Sequence, residues 1–150
     1  MLYLCVKWLH ILSSTVLFGT GVGTAFFMLM ANRSRDLKAI RFATKTVVIA
    51  DWLFTTPAVI IQPITGVILA RIAGYPLTTP WLMTAMALYV FAGACWLPVV
   101  WIQLKMRALA ASATDDLPAE YWTYNRWWLI LGSLAFPAVM VIFWLMVFTP

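Results

Sequence analysis

The stretch that decides the fold is V6-KWLHILSSTVLFGTGVGTAF-F27, twenty-two residues carrying one lysine at the edge, one histidine and no acid. A crossing helix needs ~20 apolar residues, at ~1.5 Å rise each, to cover a hydrocarbon core of ~30 Å. Three more stretches of that kind follow, so crossings are predicted at about 2–31, 42–70, 81–106 and 127–148. The whole chain agrees: 64% of its 150 residues are hydrophobic, 10% are charged, and the mean hydropathy is +0.92. That balance excludes a soluble domain. The fold expected is all-α, one domain over 1–150, a polytopic membrane protein built as an antiparallel four-transmembrane-helix bundle. The first span lacks a basic n-region and a small-residue cleavage site, and it reads as retained.

Charge sets the orientation. Arg33, Arg35, Lys38, Arg41 and Lys45 surround the first connection, and Lys105, Arg107 and Arg126 flank the third, against only Lys7 and Arg71 at the opposite ends. Basic connections stay in the cytoplasm, so both termini and the G74-YPLTTP-W81 loop are expected on the outer side. The formal net charge of +5 is thus a topology signal and gives no support to nucleic-acid binding. Soluble catalysis has no motif here: there is no GxSxG, no phosphate loop, no carboxylate pair and no Cys/His set. Cys5 and Cys95 are expected at different depths, too far apart for a disulfide.

Local signals refine the spans. Thr15, Gly19 and Gly23 recur every four residues and form a small-residue ridge expected to pack against another helix. The loop A31-NRSR-D36 should end the first span. In A50-DWLFTTPAVIIQPIT-G66, Pro57 and Pro63 lack the amide hydrogens that Leu53 and Val59 carbonyls need, so the helix should bend. Thr55, Thr56, a neighbouring helix or water must compensate, because an orphan carbonyl is costly in lipid. An ordinary kink and a functional broken helix both fit. Tyr75 and Trp81 are expected at the interface. Tyr89, Trp96 and Gln103 form a seven-residue stripe read as bundle packing. In A110-ASATDDLPAEY-W122, Asp115, Asp116 and Glu120 suit a helix start, with Pro118 in its first turn.

Two ionisable side chains remain inside hydrocarbon, His10 and Asp51. A charge at mid-bilayer costs at least ~2.5–3.5 kcal/mol, so such groups face the bundle interior. Folding the first two spans as a hairpin about Asp36 brings His10 level with Gln62, and Gly21 level with Asp51. The interior then holds two polar layers ~16 Å apart along the axis, which excludes direct contact between His10 and Asp51. His10 fits a hydrogen-bonded core histidine, a proton carrier, or an axial ligand of haem b or another tetrapyrrole. For the last role, Ser14 would orient the ring, Gly21 would leave a flat wall, and Lys7 and Arg71 would meet the propionates. Asp51, with Thr55, fits a neutral packing residue or a proton-coupled transport site.

The runs Y3 to F27, A50 to L82 and L88 to A110 resemble a bacterial family of predicted integral membrane proteins of unknown function, which implies a bacterial inner membrane. V6-KWLH-I11 also resembles the K-x-L-H opening of the membrane-bound protoporphyrinogen oxidase family and of copper-resistance-type membrane proteins. That resemblance implies a haem-related ligand at His10, with Lys7 beside it. With no second histidine in the chain, the other axial position would be empty, or filled by Met86, by Met140, or by His10 of a second protomer in a homodimer. Expected partners are the lipid bilayer and a respiratory or haem-pathway protein. The alternatives are a proton-coupled transporter or conduit using Asp51, and a non-catalytic accessory or assembly subunit.

Overall fold

The computed structural model describes residues 1–149. Helix α1 runs Leu2–Ser34, α2 Leu37–Ala50, a π-helical turn Asp51–Thr55, α3 Thr56–Ile72, α4 Pro80–Ser112 and α5 Ala119–Phe148. The second crossing is therefore α2, the π-helical turn and α3 stacked end to end. All four crossings are long and apolar enough to span a membrane, and no strand occurs among the described residues.

The helices outrun the predicted crossings on the basic side, because backbone capping and not hydropathy ends them. α1 continues to Ser34, so only Arg35 and Asp36 are left in the loop. Arg35 takes a left-handed φ of 57° and its N–H bonds to Asn32 O. Asp36 then caps α2, its carboxylate accepting from Lys38 N–H at 3.0 Å. α5 likewise begins at Ala119, eight residues before the predicted span, and Pro118 is its N-cap rather than a first-turn residue. On the other side α3 ends in a Schellman motif. Gly74, with φ 78°, sits where only glycine is unstrained; Tyr75 N–H bonds Ala70 O at 2.9 Å and Gly74 N–H bonds Arg71 O at 3.2 Å. Tyr75 and Trp81 then meet edge to face across the short outer loop.

α1 lies along the second crossing, α2 packs on α4, and α4 and α5 form a long hairpin. α1 closes the ring against α5, through Phe18 with Phe136 and Phe143, and through Asn32 with Tyr121 and Asn125. The packed core gathers in the basic half around Met28, Ile40, Val47, Met106, Tyr121 and Trp128. Elsewhere large apolar side chains such as Trp8, Val90 and Val147 face outward, as expected where lipid solvates them and dispersion rather than water exclusion holds helices together. Gly19 and Gly23 lie on such an outward face, with nothing within 4 Å of where a Cβ would stand. The predicted ridge is thus not a packing surface within the chain. Cys5 and Cys95 are both free.

Candidate functional site

The outer polar layer is a closed network between α1 and α3. His10 Nδ1 is 2.7 Å from Thr65 Oγ1, and Gln62 Nε2 is 3.2 Å from His10 Nε2. Ser13 Oγ donates to Gln62 Oε1 and also lies 3.0 Å from His10 O. That contact occupies the amide oxygen and turns the Gln62 nitrogen, a donor, toward the imidazole. Thr65 Oγ1 is in turn within reach of the Ile61 and Gln62 carbonyls at 2.8 and 3.1 Å, where its single hydrogen goes. As an acceptor toward Nδ1 it matches the imidazole tautomer that carries its hydrogen there, the one that also receives Gln62 Nε2–H at Nε2. Gly66 lies beneath: a Cβ there would stand 3.2 Å from His10 Cε1, so the absence of a side chain at 66 is what admits the ring.

Several expected participants lie elsewhere. Ser14, expected to orient the ring, donates to Ile11 O at 2.8 Å instead, and Thr65 holds the imidazole. Gly21 is exposed with open space around it, and the glycine against the ring is Gly66. The face of α1 turned inward at this level is that of Ser13, one position from the expected one, because there α1 meets Gln62, Thr65 and Gly66 of α3. Lys7 is exposed with its ammonium 5.7 Å from the Tyr3 ring, and Arg71 is exposed near the end of α3; neither has an acidic partner among the described residues. Met86 and Met140 are both exposed on outer faces. Gln62 is where the hairpin register placed it, in contact with His10.

The deeper layer is built by the π-helical turn. Thr56 N–H reaches back five residues to Asp51 O, and Thr56 Oγ1 bonds the same carbonyl at 3.0 Å. The proline that follows, Pro57, has no N–H to continue the α-helical pattern. Asp51 and Thr55 both turn inward and are 6% and 4% exposed. Thr55 Oγ1 donates to Asp51 Oδ1 at 2.8 Å, and the buried Gln103 side chain of α4 approaches the same carboxyl. Between the layers, the Val59 carbonyl that Pro63 leaves without its amide accepts from Tyr89 Oη at 2.6 Å. The compensating neighbour required by the proline is therefore α4. Trp96, midway between Tyr89 and Gln103 on the α4 stripe, buries its indole N–H with no acceptor among the described residues. No hydrogen bond joins His10 to Asp51 among the described residues.

The Tyr89, Trp96 and Gln103 stripe does pack inside the bundle, and it also carries the polar tips that α4 presents to Val59 O and Asp51. Ser13, Thr65 and Gly66 were missed, although Ser13 and Thr65 each follow a polar partner by three residues, one helical turn. No group of three or more His, Cys, Asp or Glu that could hold a metal ion occurs among the described residues.

No curated protein matches the chain, and no solved structure does. Residues 4–150 match the model of a family described as "Predicted integral membrane protein (DUF2269)", which spans nearly the whole sequence and all four crossings. Apolar helices of crossing length, with His10 and Asp51 turned inward, and this match agree: the chain belongs to that family of integral membrane proteins.

Proposed function

We propose that this integral membrane protein holds haem b or a related tetrapyrrole in its outer half, with His10 as the protein ligand, and serves electron transfer or porphyrin redox chemistry in a bacterial inner membrane. The observation that carries the reading is the pair of contacts that hold the His10 ring, Thr65 Oγ1 at Nδ1 and Gln62 Nε2 at Nε2. With its hydrogen on Nδ1, His10 donates to Thr65 Oγ1 and keeps the Nε2 lone pair for coordination; metal-binding histidines have their second nitrogen held by an acceptor in this way. The Gln62 amide stands on that lone pair, at 3.2 Å, and would have to turn away before a ligand reached it. Lys7 and Arg71 are free of acidic partners among the described residues and suit propionate carboxylates. Met86 and Met140 face outward, so among these residues His10 would be the one to hold the group, alone or with His10 of another protomer. When bound, the tetrapyrrole supplies the redox chemistry; the chain positions it and excludes water.

The test is the absorption spectrum of protein solubilised from haem-replete cells, oxidised and reduced. A Soret band is expected, lost in His10→Ala and weakened in Thr65→Val. Colourless wild-type protein overturns the reading.

A second reading, a proton conduit or proton-coupled transporter centred on Asp51, rests on Trp96. Buried N–H groups without partners are rare, and an internal water is the usual acceptor. Water at that level of the stripe would extend the polar track from Tyr89 toward Gln103 and Asp51. Proton flux in proteoliposomes, abolished by Asp51→Asn, is the expected result; wild-type vesicles no leakier than empty ones overturn it.

A further inference from the structure

On the outer face of the π-helical turn, the second crossing and α4 form a shallow, open groove of about 400 Å³, lined by Val48, Ile49, Trp52, Leu53, Leu104 and Arg107. Five of these six are apolar, and Trp52 and Leu53 are 59% and 61% exposed. Trp52 and Leu53 come from the turn whose inner face carries Asp51 and Thr55, so the groove lies directly behind the deeper polar layer. Arg107 is its one charged wall. It is half-buried and has no carboxylate partner among the described residues. Exposed Lys45, one turn before Val48 and Ile49, adds a second cation on the same side of the bundle.

We propose that this groove is a binding site for an anionic phospholipid, with an acyl chain against Trp52, Leu53 and Leu104 and the phosphate on Arg107. The polarity gradient is that of a phospholipid: apolar along the groove, cationic at the basic end of the bundle. A guanidinium presents paired N–H donors that match phosphate oxygens, and its half-buried position calls for an anion. Basic pockets between crossing helices take lipid headgroups by this chemistry. A second copy of this chain suits the groove less well. It would bring its own basic end, from a chain of net charge +5, against Arg107 and Lys45.

The experiment is native mass spectrometry of the full chain released from detergent with phosphatidylglycerol, with phosphatidylcholine, and with inorganic phosphate alone. One phosphatidylglycerol is expected to be retained, ~5-fold or more in preference to phosphatidylcholine, the factor that one interfacial cation supplies. Arg107→Gln should remove that preference, and Arg126→Gln, an exposed basic residue on α5, should leave it intact. Leu104→Trp, which fills the groove and keeps the guanidinium, should lower phosphatidylglycerol retention, and it decides the matter if Arg107→Gln does not fold. Equal retention of the two lipids, an unchanged preference in Arg107→Gln, unchanged retention in Leu104→Trp, or displacement of the lipid by inorganic phosphate overturns the proposal.

Discussion

Tyr89→Phe isolates the bond that holds the bent second crossing to α4. Its hydroxyl is 2.6 Å from Val59 O, the carbonyl whose helical donor would be the amide of residue 63, and residue 63 is proline. Removing the hydroxyl leaves that carbonyl without either partner. An orphaned buried acceptor costs ~1–3 kcal/mol, whereas interhelical bonds in membranes average ~0.6 kcal/mol and reach ~1.7. The proline places Val59 toward the upper end of the membrane range, so a loss of about 1–1.5 kcal/mol is expected. Pro63→Ala restores an amide at 63 and gives Val59 O a donor inside its own helix. In that background Tyr89→Phe should cost no more than ~0.5 kcal/mol, a coupling near 1 kcal/mol in a double-mutant cycle. Reversible unfolding in mixed micelles, followed by circular dichroism for the four proteins, measures it. The cycle subtracts whatever Pro63→Ala does by itself to the bend. Equal costs of Tyr89→Phe in the two backgrounds would refute the assignment of Tyr89 as the substitute donor.

Four further outcomes are expected. Gly66→Ala brings a methyl to 3.2 Å from His10 Cε1, so it should destabilise the fold and lower any Soret absorbance. Gly19→Ala and Gly23→Ala meet open space and should be neutral or stabilising by up to ~1 kcal/mol in the melting curve. Asn32→Ala removes the partner of both Tyr121 Oη, at 2.6 Å, and Asn125, at 2.9 Å, and strands a fully buried hydroxyl. It should cost ~2–3 kcal/mol in micelle unfolding, against ~1 for Tyr121→Phe. Arg35 combines a left-handed backbone with a guanidinium 4.0 Å from the Trp122 ring. Arg35→Gly relieves the first and loses the second, two terms of ~1 kcal/mol that nearly cancel, while Arg35→Ala keeps the strain and loses the contact, so only alanine should lower the melting temperature.

The amino-acid sequence by itself determined the four crossings, their antiparallel order, the pairing of His10 with Gln62, and the need for an outside donor near the prolines. All of these follow from one-dimensional quantities: length against bilayer thickness, helical rise, and the missing N–H of proline. Only the tertiary structure decided which face of each helix turns inward. In a soluble helix an apolar stripe announces that face; in lipid both faces are apolar, so the small differences that orient α1 toward Ser13 and not Ser14 leave no mark in the pattern. The same ambiguity hid Gly66 and sent attention to Gly21. The Tyr89, Trp96 and Gln103 stripe was legible as bundle packing but not as a polar face, since polar tips on a periodic face acquire meaning only when the carbonyl of Val59 and the carboxyl of Asp51 stand opposite.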